Sequence, residues 1–349
     1  MHIVNVMISK KLGGIEQAFL DYTRALLLKN YEVFLIADKK NKLEKELHKF
    51  NIKEKLLLKF THYNWFLVPY LYLKLKKFNP DIIIVHNKKA VPIFKATARL
   101  LGAKIIGVSH NPKFKKIGAC DAIFTITNYQ KNIFSSNFPK EKIFVIPNMI
   151  TKQIDYSARK SFSNPPRICT MGRFDPMKGF PDFIKALAIL KQQNISFKAI
   201  IGGEKQKDYP QEFEKMRNLV EQNSLRNDVE FCGWVKDKEK FFAQTDVFVL
   251  PSVFEPFGIV ILEAMQHSVP IVTSLAEGPE EIFSKHKNCA KTFEIGNYEQ
   301  MAECLKQILF DFAQAQKMAK NAYDLCYNEY ALGKVADKLD KAIKEVVND

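Results

Sequence analysis

The sequence predicts an α/β fold: two Rossmann-like domains, each a doubly wound parallel sheet, that face each other across a central cleft. Three observations support this class. The chain has 349 residues, which is more than one average core spans. Short β-branched and aromatic runs alternate with segments of helical period. The alternation restarts after residue 160, so the predicted domains comprise residues 1–160 and 161–330.

The first half of the chain has the pattern of a sheet that is covered on both faces. Continuous apolar runs predict strands at 3–8, 33–37, 82–86, 105–109, 122–127 and 143–146. Segments of helical period at 16–29 and 91–101 separate some of these strands. Strands that alternate with helices pair in parallel, because a helical crossover returns the chain to the same edge of the sheet.

The second half repeats this pattern. The polar, proline-ended stretch 157–166 is suited to a linker. Strands are then predicted at 167–171, 197–202, 229–231, 247–251 and 271–273, and helices from Pro181, at 259–266 and at 331–347. Ligands of such sheets bind at the carboxyl ends of the strands, so the loops that follow each strand are the places to look for a site.

Composition favours a globular chain in a reducing compartment. Hydrophobic residues make up 47% and charged residues 26% of the chain. The six cysteines form no C-x-x-C pair, which disfavours a structural zinc site and predicts free thiols in the cytoplasm. The chain begins with a strand-like run rather than a signal peptide, and no apolar run approaches the ~20 residues of a membrane span.

Positive charge is concentrated in the first half. Residues 1–150 hold 26 Lys and Arg against 10 Asp and Glu, whereas the remainder holds 27 against 28. This asymmetry indicates an anionic partner, either nucleic acid or a lipid surface, or else only a lysine-rich composition. Segments 39–59 and 60–78 mix lysines with aromatic residues and predict peripheral association with anionic membranes. Buried helices with snorkelling lysines are the alternative.

A glycine pair follows the first predicted strand. Gly13 and Gly14 precede a helix, and amides at a helix N-terminus favour an anion such as phosphate. A plain tight turn is the commoner explanation of such a pair. A nicotinamide cofactor has little support, because the chain lacks the G-x-G-x-x-G fingerprint, and there is no Walker A loop.

The stretch MGRFDPMKGF places two cations on one loop. Arg173 follows a strand and Lys178 lies five residues later, with Gly172 and Gly179 beside them. Two such cations can neutralise a dianion without a metal, although an isolated pair of this spacing is usually solvated. No D-x-D occurs in the chain, so the sequence predicts no carboxylate site for a divalent cation.

The stretch FEPFGIVILEAM places a carboxylate on each side of a helix start. The backbone amides of Phe257, Gly258 and Ile259 are predicted to lie unpaired at the helix N-terminus. Glu255 and Glu263 could accept hydrogen bonds from sugar hydroxyls. The alternatives are an acid that favours the helix dipole and an exposed helix charge, but the neighbours of Glu263 are apolar.

Several motifs occur together in one order along the chain: GGIEQ, VSHN, VIPN, GRFDPMKG, IIGGE, FCGWV, LPSVFEPFGIVILEA and EGPEEI. In this order they resemble the retaining GT-B glycosyltransferases of family 4. The resemblance covers most of the chain, and its most specific parts are the E-x7-E signature and the GR…KG spacing. It implies a GT-B fold with the donor on the C-terminal domain, and a last helix, 331–349, that packs back onto the N-terminal domain.

The resemblance also implies roles for residues of the C-terminal domain. Arg173 and Lys178 would neutralise the donor diphosphate beside the glycines at 172 and 203, and Glu263 would bind the ribose hydroxyls. The transferred sugar would contact Glu255 and the amides at positions 257–259. The backbone around Val235 would contact the base. Gly172, Gly203, Phe257, Gly258 and Ile259 are therefore candidate donor-binding residues.

In the N-terminal domain, Gly13 and Gly14 would approach the diphosphate and His110 would lie near the sugar. Two positions depart from the family pattern. Glu277 stands where the family often has glycine, which places an acid near the expected diphosphate. Met177 stands where an acid commonly precedes the lysine.

The implied activity is retaining transfer of a hexosyl or N-acetylhexosaminyl group from a nucleotide-sugar, with UDP favoured. The acceptor, bound by the N-terminal half, would be a glycan or lipid-linked glycan of bacterial-type surface polysaccharide or lipopolysaccharide synthesis. No cofactor or metal is expected. The alternatives are a sugar-nucleotide epimerase or a phosphorylase of the same fold, or a basic nucleic-acid-binding protein. The last is disfavoured because no helix-turn-helix or RNP-like pattern occurs.

Overall fold

The computed structural model describes residues 1–9, 13–39, 44–60, 64–113 and 116–348. The chain divides into two compact units, one of Met1–Thr151 with Glu329–Asp349 and one of Lys152–Asn328. Each unit contains a parallel sheet flanked by helices. None of the described helices combines the length and the apolar character that crossing a bilayer requires.

The first unit contains a sheet whose described strands pair only in parallel. The strands are β1 (His2–Met7), β2 (Glu32–Asp38), β3 (Lys55–Leu58), β4 (Ile82–Val85), β5 (Lys104–Ser109), β6 (Ala122–Thr125) and β7 (Ile143–Val145). Their order in the sheet is β3-β2-β1-β4-β5-β6-β7, so the winding direction reverses between β1 and β4. Helices α1 (Gly14–Leu28), α2 (Glu44–Leu47), α3 (Leu67–Leu75), α4 (Val91–Leu101) and α5 (Asn128–Phe134) belong to this unit.

The second unit repeats the design with strands β8 (Arg167–Met171), β9 (Lys198–Gly202), β10 (Val229–Gly233), β11 (Val247–Leu250), β12 (Ile271–Ser274) and β13 (Lys291–Phe293). Their order is β10-β9-β8-β11-β12-β13, with the reversal between β8 and β11. The helices are α6 (Phe180–Gln192), α7 (Gln211–Gln222), α8 (Lys238–Ala243), α9 (Ile259–Gln266), α10 (Glu277–Phe283), α11 (Tyr298–Phe310) and α12 (Phe312–Glu329).

A last helix, α13 (Leu332–Asn348), completes the first unit. Strand residues of alternating position serve opposite faces of the sheet. Ile82 and Ile84 pack in one hydrophobic cluster with α13, whereas Ile83 and Val85 pack in another with α3 and α4. Helices therefore cover both faces, which explains why the strands are mostly apolar rather than alternating.

Two strands were not predicted. β3 forms the edge of the first sheet beside β2, within the segment 39–59 that was predicted to lie on a membrane surface. Residues 55–58 extend the ladder of β2 and Leu58 is buried, so this part of the segment is an edge strand, and its membrane association stays a prediction. The second strand that was not predicted, β13, is short and lies at the edge of the second sheet. Parts of the predicted amphipathic segments, residues 40–43 and 61–63, lie outside the described residues.

The stretch 157–166, predicted to be a linker, lies inside the second unit. The Arg159 amide donates to the Gln316 side-chain oxygen at 3.1 Å, and the Arg159 guanidinium contacts Asp246 at 3.1 Å. These contacts fix the stretch to the unit, so the division lies between residues 151 and 152, whereas the predicted division lies after residue 160.

We predict that Asp246→Asn strongly destabilises the second unit. The Asp246 carboxylate is fully buried and accepts hydrogen bonds from the Arg159 guanidinium and from the amides of Ser163 and Arg167. Removing its charge leaves Arg159 without its counter-charge, and breaking a buried pair costs about 3–5 kcal/mol. Urea unfolding of the full chain measures the loss.

Glu239→Gln is the matched control for this measurement. Glu239 forms an ion pair with Lys152, but both side chains are more than half exposed. Such pairs contribute about 0–1 kcal/mol. Equal losses for the two variants would contradict the structural role of Asp246.

Candidate functional site

Two loops meet at the reversal point of the second sheet. One, residues 172–179, leaves β8, and the other, residues 251–258, leaves β11, its parallel neighbour. The amides of Val253 and Phe254 both donate to the Met177 carbonyl, at 2.8 and 3.3 Å. Ligands of doubly wound sheets bind at such reversal points, outside the carboxyl ends of the strands. The two predicted motifs of this half therefore share one location.

Gly179 allows the two loops to touch. Its φ is +64°, and a Cβ atom added there would lie 1.9 Å from the Pro251 carbonyl oxygen. Any other residue would push the loops apart and would be strained in the left-handed region. Helix α6 begins directly after Gly179, so the position of this helix is fixed by the same contact.

Lys178 and Glu255 form an ion pair across the joined loops. Lys178 Nζ lies 2.7 Å from Glu255 Oε2, although the residues are 77 positions apart in sequence. Only 18% and 12% of the two side chains are exposed. A lysine this buried needs a counter-charge, which Glu255 supplies. The pair can exchange partners with a ligand that brings both an anion for the lysine and hydroxyls for the carboxylate.

Arg173 lies on the same loop but is much more exposed, at 64% of its side chain. Its guanidinium contacts the Asp175 carboxylate at 3.3 Å. Asp175 is itself buried and accepts from the Met177 amide at 3.0 Å, so its position is fixed. An anion in solution can therefore reach Arg173. Asp175 was not among the predicted site residues, although it stands two residues after the arginine in sequence.

Backbone atoms pack closely at the ends of β8, β9 and β10. The Gly172 amide donates to the Gly202 carbonyl at 2.9 Å, and the Gly203 amide donates to the Gly233 carbonyl at 2.8 Å. A Cβ atom added to Gly203 would lie 2.1 Å from the Gly172 carbonyl oxygen. Glycine is required because no side chain fits between these strands. The Val235 side chain packs over Gly202 in the same region.

Helix α9 begins at Ile259, as predicted, with Gly258 as its N-cap. The cap has a φ of +90° and no side chain, so no capping side chain occupies the amides of Ile259 and Val260, whereas the Ile261 amide donates to the Gly258 carbonyl at 2.8 Å. Glu255 Cγ lies 3.5 Å from the position that a Cβ on Gly258 would take, which places Glu255 beside this helix start. The Phe257 side chain is buried and does not face solvent.

Glu263 forms an ion pair with Lys238, the first residue of α8, and only 17% of its side chain is exposed. It is therefore not the exposed helix charge that was the alternative explanation. Lys238 was not among the predicted site residues, because it stands 25 residues away and has no motif of its own. Within the described ranges, no group of three or more His, Cys, Asp or Glu residues is arranged to hold a metal ion.

Glu277, the departure from the family pattern, contacts the backbone of the site. Its carboxylate accepts from the Glu255 amide at 3.4 Å, and the neighbouring Gly278 amide donates to the Glu255 carbonyl at 2.9 Å. Helix α10 thus bonds to both the amide and the carbonyl of Glu255. This contact gives the acid a structural role that its sequence position did not indicate.

Three predicted residues belong to the first unit. Gly13 is the N-cap of α1 and Gly14 is its first residue. His110 follows β5, is partly buried, and its Nε2 lies 3.2 Å from Nδ1 of His86. Burial lowers the pKa of His110 to about 4. Burial, with a smaller contribution from His110, lowers the pKa of His86 well below its ordinary value.

Family comparisons match both units of the chain. The family model described as Glycosyl transferases group 1 matches residues 152–325, and the one described as Glycosyltransferase Family 4 matches residues 12–153. The chain belongs to the group 1 glycosyl transferases. Within this family it is 27% identical over 202 residues to a lipopolysaccharide core biosynthesis glycosyltransferase, LpsE, of Rhizobium meliloti (strain 1021). That match covers 57% of this chain and only 56% of LpsE.

Solved structures confirm that this group 1 glycosyl transferase has the predicted GT-B fold. Anabaena HepE in complex with UDP superposes with a TM-score of 0.84 at 18% identity, over 99% of this chain and 100% of HepE. HepE has also been solved with UDP-glucose. A glycosyltransferase from Rickettsia africae superposes with a TM-score of 0.87 at 18% identity, over 100% of this chain and 99% of that protein.

We predict that the chain loses stability as the pH falls from 6.5 towards 4. The unfolded chain protonates His86 and His110 near the ordinary pKa of 6.5, whereas the folded rings stay neutral down to about 4 for His110. Stability is thus fully present above 6.5 and falls by up to about 1.4 kcal/mol per pH unit for each histidine. Urea unfolding over a pH series measures this slope.

The double variant His86→Gln with His110→Gln isolates the contribution of the two histidines from that of the carboxylates. Its free energy of unfolding should fall less steeply over the same pH range. An unchanged slope would show that these rings do not remain neutral in the folded chain.

Proposed function

We propose that this group 1 glycosyl transferase moves a sugar from a nucleotide-sugar donor, with UDP as the nucleotide, to a glycan or lipid-linked acceptor of bacterial surface polysaccharide synthesis. The observation that carries the proposal is the Lys178–Glu255 pair at the reversal point of the second sheet. The names of LpsE, a lipopolysaccharide core enzyme, and of the UDP and UDP-glucose complexes of HepE support the acceptor class and the donor.

The donor would bind to the loops of the second unit. Its diphosphate would contact Arg173 and Lys178, releasing Glu255 to accept hydrogen bonds from the transferred sugar. The ribose hydroxyls would bind Glu263, in place of part of its contact with Lys238. Backbone amides of Gly258 and Ile259 would complete the oxygen-binding surface. The contributions of Gly13, Gly14, Val235 and His110 stay predictions.

Catalysis would depend on charge that develops on the leaving diphosphate. Two fixed cations can stabilise this charge without a metal, because they are held in place before the reaction begins. With Glu255 and Glu263 used for hydroxyl binding, a covalent glycosyl-enzyme is not the route we favour. The acceptor would instead attack the face that the diphosphate leaves, so that configuration is retained, and a diphosphate oxygen would take the acceptor proton. The transferred group would be a hexosyl or N-acetylhexosaminyl sugar.

We predict that Arg173→Ala slows UDP-glucose turnover by about 100-fold or more while the chain stays folded. Removing one hydrogen-bond donor to a developing oxyanion lowers the rate by about this factor. The chain should stay folded because the Arg173 side chain is exposed, so its removal leaves no cavity. UDP release from UDP-glucose measures turnover, with and without EDTA. Thermal shifts with UDP-, GDP-, ADP- and dTDP-glucose measure donor choice, and UDP-glucose should give the largest shift.

Arg217→Ala is the matched control, because Arg217 is an exposed arginine of the same unit that pairs with an acid, Glu214. Its turnover should equal that of the unaltered chain. Near-normal turnover by folded Arg173→Ala would refute the leaving-group role. A preference for GDP-glucose would refute the UDP assignment, and loss of turnover with EDTA would refute metal independence.

We further propose that α3 attaches the first unit to anionic membranes. Leu71 and Leu75 are buried against the sheet, whereas four large apolar side chains in and before the helix are exposed: Trp65, Phe66, Tyr70 and Leu73. Exposed lysines, Lys74, Lys76 and Lys77, lie beside them. An apolar face bordered by lysines favours the surface of an anionic bilayer, where lipid-linked acceptors are found.

We predict that the chain floats with vesicles of phosphatidylglycerol and phosphatidylcholine but much less with phosphatidylcholine alone. Phe66→Ser with Leu73→Ser should remove most flotation, because these are the most exposed apolar side chains of the face, at 88% and 72%. Ile295→Ser with Phe310→Ser is the control, since those residues are also exposed but belong to the second unit. Equal flotation with neutral and anionic vesicles would contradict the proposal.

A further inference from the structure

A line of hydrogen-bonded polar side chains runs through the interior of the first unit. Thr23 of α1 contacts Asn5 of β1, which contacts His86 after β4, which contacts His110 after β5. Thr23, Asn5 and His86 are buried, at 0%, 0% and 3% exposure. Polar groups at such depth need hydrogen-bond partners, so the directions of these bonds are constrained.

The orientation of the Asn5 amide follows from a backbone carbonyl. The Thr23 hydroxyl donates to the Phe19 carbonyl at 2.9 Å, so its oxygen is left to accept. Asn5 Nδ2 lies 3.0 Å from that oxygen and 3.4 Å from the Phe19 carbonyl oxygen, which can only accept. Asn5 must therefore present its NH₂ group to them, and its Oδ1 faces His86.

The proton positions on both histidines follow in turn. Asn5 Oδ1 lies 3.0 Å from His86 Nε2, and because the oxygen accepts, Nε2 must carry a proton. The neutral ring then has its lone pair on Nδ1, which lies 3.2 Å from His110 Nε2. That contact requires a proton on Nε2 of His110. None of the described residues bonds to its Nδ1.

We propose that Asn5 and His86 are positioning residues that hold His110 as the Nε2–H tautomer, so that its Nδ1 accepts a hydrogen bond from a hydroxyl of the sugar substrate. The hydroxyl contact rests on the proposed function, whereas the proton order does not. In the Nε2–H tautomer, the unprotonated Nδ1 of His110 can accept a hydrogen bond from an O–H group. In the other tautomer Nδ1 carries a proton and cannot accept this bond.

The aromatic rings beside His86 fix the plane of its imidazole. Tyr22 meets it edge-on with centroids 4.8 Å apart, and the His110 ring is tilted from it by 20° with centroids 5.4 Å apart. Tyr22 and His110 are the titratable groups that face His86 among the described residues, and burial raises the pKa of Tyr22, so neither supplies a negative charge. In the part of the chain that the structure describes, no carboxylate contacts His86 in place of Asn5.

Nitrogen-15 correlation spectra of the histidine rings test the proton order in the full chain without any ligand. We expect His110 to show a proton on Nε2 and a bare Nδ1. His86→Phe removes the acceptor and should give a mixture of His110 tautomers. His86→Gln offers an amide that can donate to Asn5 and accept from His110, and should restore the single tautomer.

A His110 ring protonated on Nδ1 in the unaltered chain would overturn the proposal, even if no variant folded. The same tautomer population in folded His86→Phe as in the unaltered chain would also overturn it. Restoration by glutamine but not by phenylalanine separates hydrogen bonding from mere filling of space.

Addition of UDP-glucose and of UDP alone tests the hydroxyl contact. We expect the Nδ1 resonance to move with UDP-glucose and not with UDP, and UDP-glucose affinity to fall about 10-fold in His86→Phe, as for one lost hydrogen bond. Bound UDP-glucose with an unmoved Nδ1 resonance would overturn the contact. If calorimetry detects no UDP-glucose binding, the proposed donor fails while the tautomer result still decides the proton order.

Discussion

The site of the second unit depends on the contact between the loops that leave β8 and β11. The strands are parallel neighbours, so their carboxyl ends emerge side by side, and Gly179 brings one loop onto the Pro251 carbonyl of the other. This approach places Lys178 within ion-pair distance of Glu255. Helix α6 and helix α9 both begin at these loops, which directs two helix N-termini to one place.

Each cation of the site is held by a carboxylate of the same unit. Arg173 contacts Asp175, Lys178 contacts Glu255, and Lys238 contacts Glu263. Such pairing keeps partly buried charges from being left alone, and it fixes the side chains before a ligand arrives. A nucleotide-sugar carries both anionic and hydroxyl groups, so it can replace both members of a pair at once. A simple anion can replace only the carboxylate.

In the first unit, buried polar side chains are likewise held by partners, but these side chains are neutral. Asn5 interrupts an apolar strand, and its burial is tolerated because Thr23 and His86 satisfy its amide. The orientation of the Asn5 amide then determines where the protons of both histidines lie. A single backbone carbonyl, that of Phe19, determines the direction of the whole line.

Sequence by itself determined the fold class, because β-branched runs buried on both faces and helical periods are local properties of the chain. It also predicted that Lys178 and Glu255 lie on loops after strands and that α9 begins at Ile259, because loop motifs are local too. Tertiary structure alone decided the partners: Glu255 for Lys178, Lys238 for Glu263, and His86 for His110. Strand order brings together residues that are far apart in sequence, and periodicity carries no information about which strands become neighbours. The short edge strands β3 and β13 were missed for the same reason, since hydrogen bonds to a neighbour rather than their own pattern make them strands.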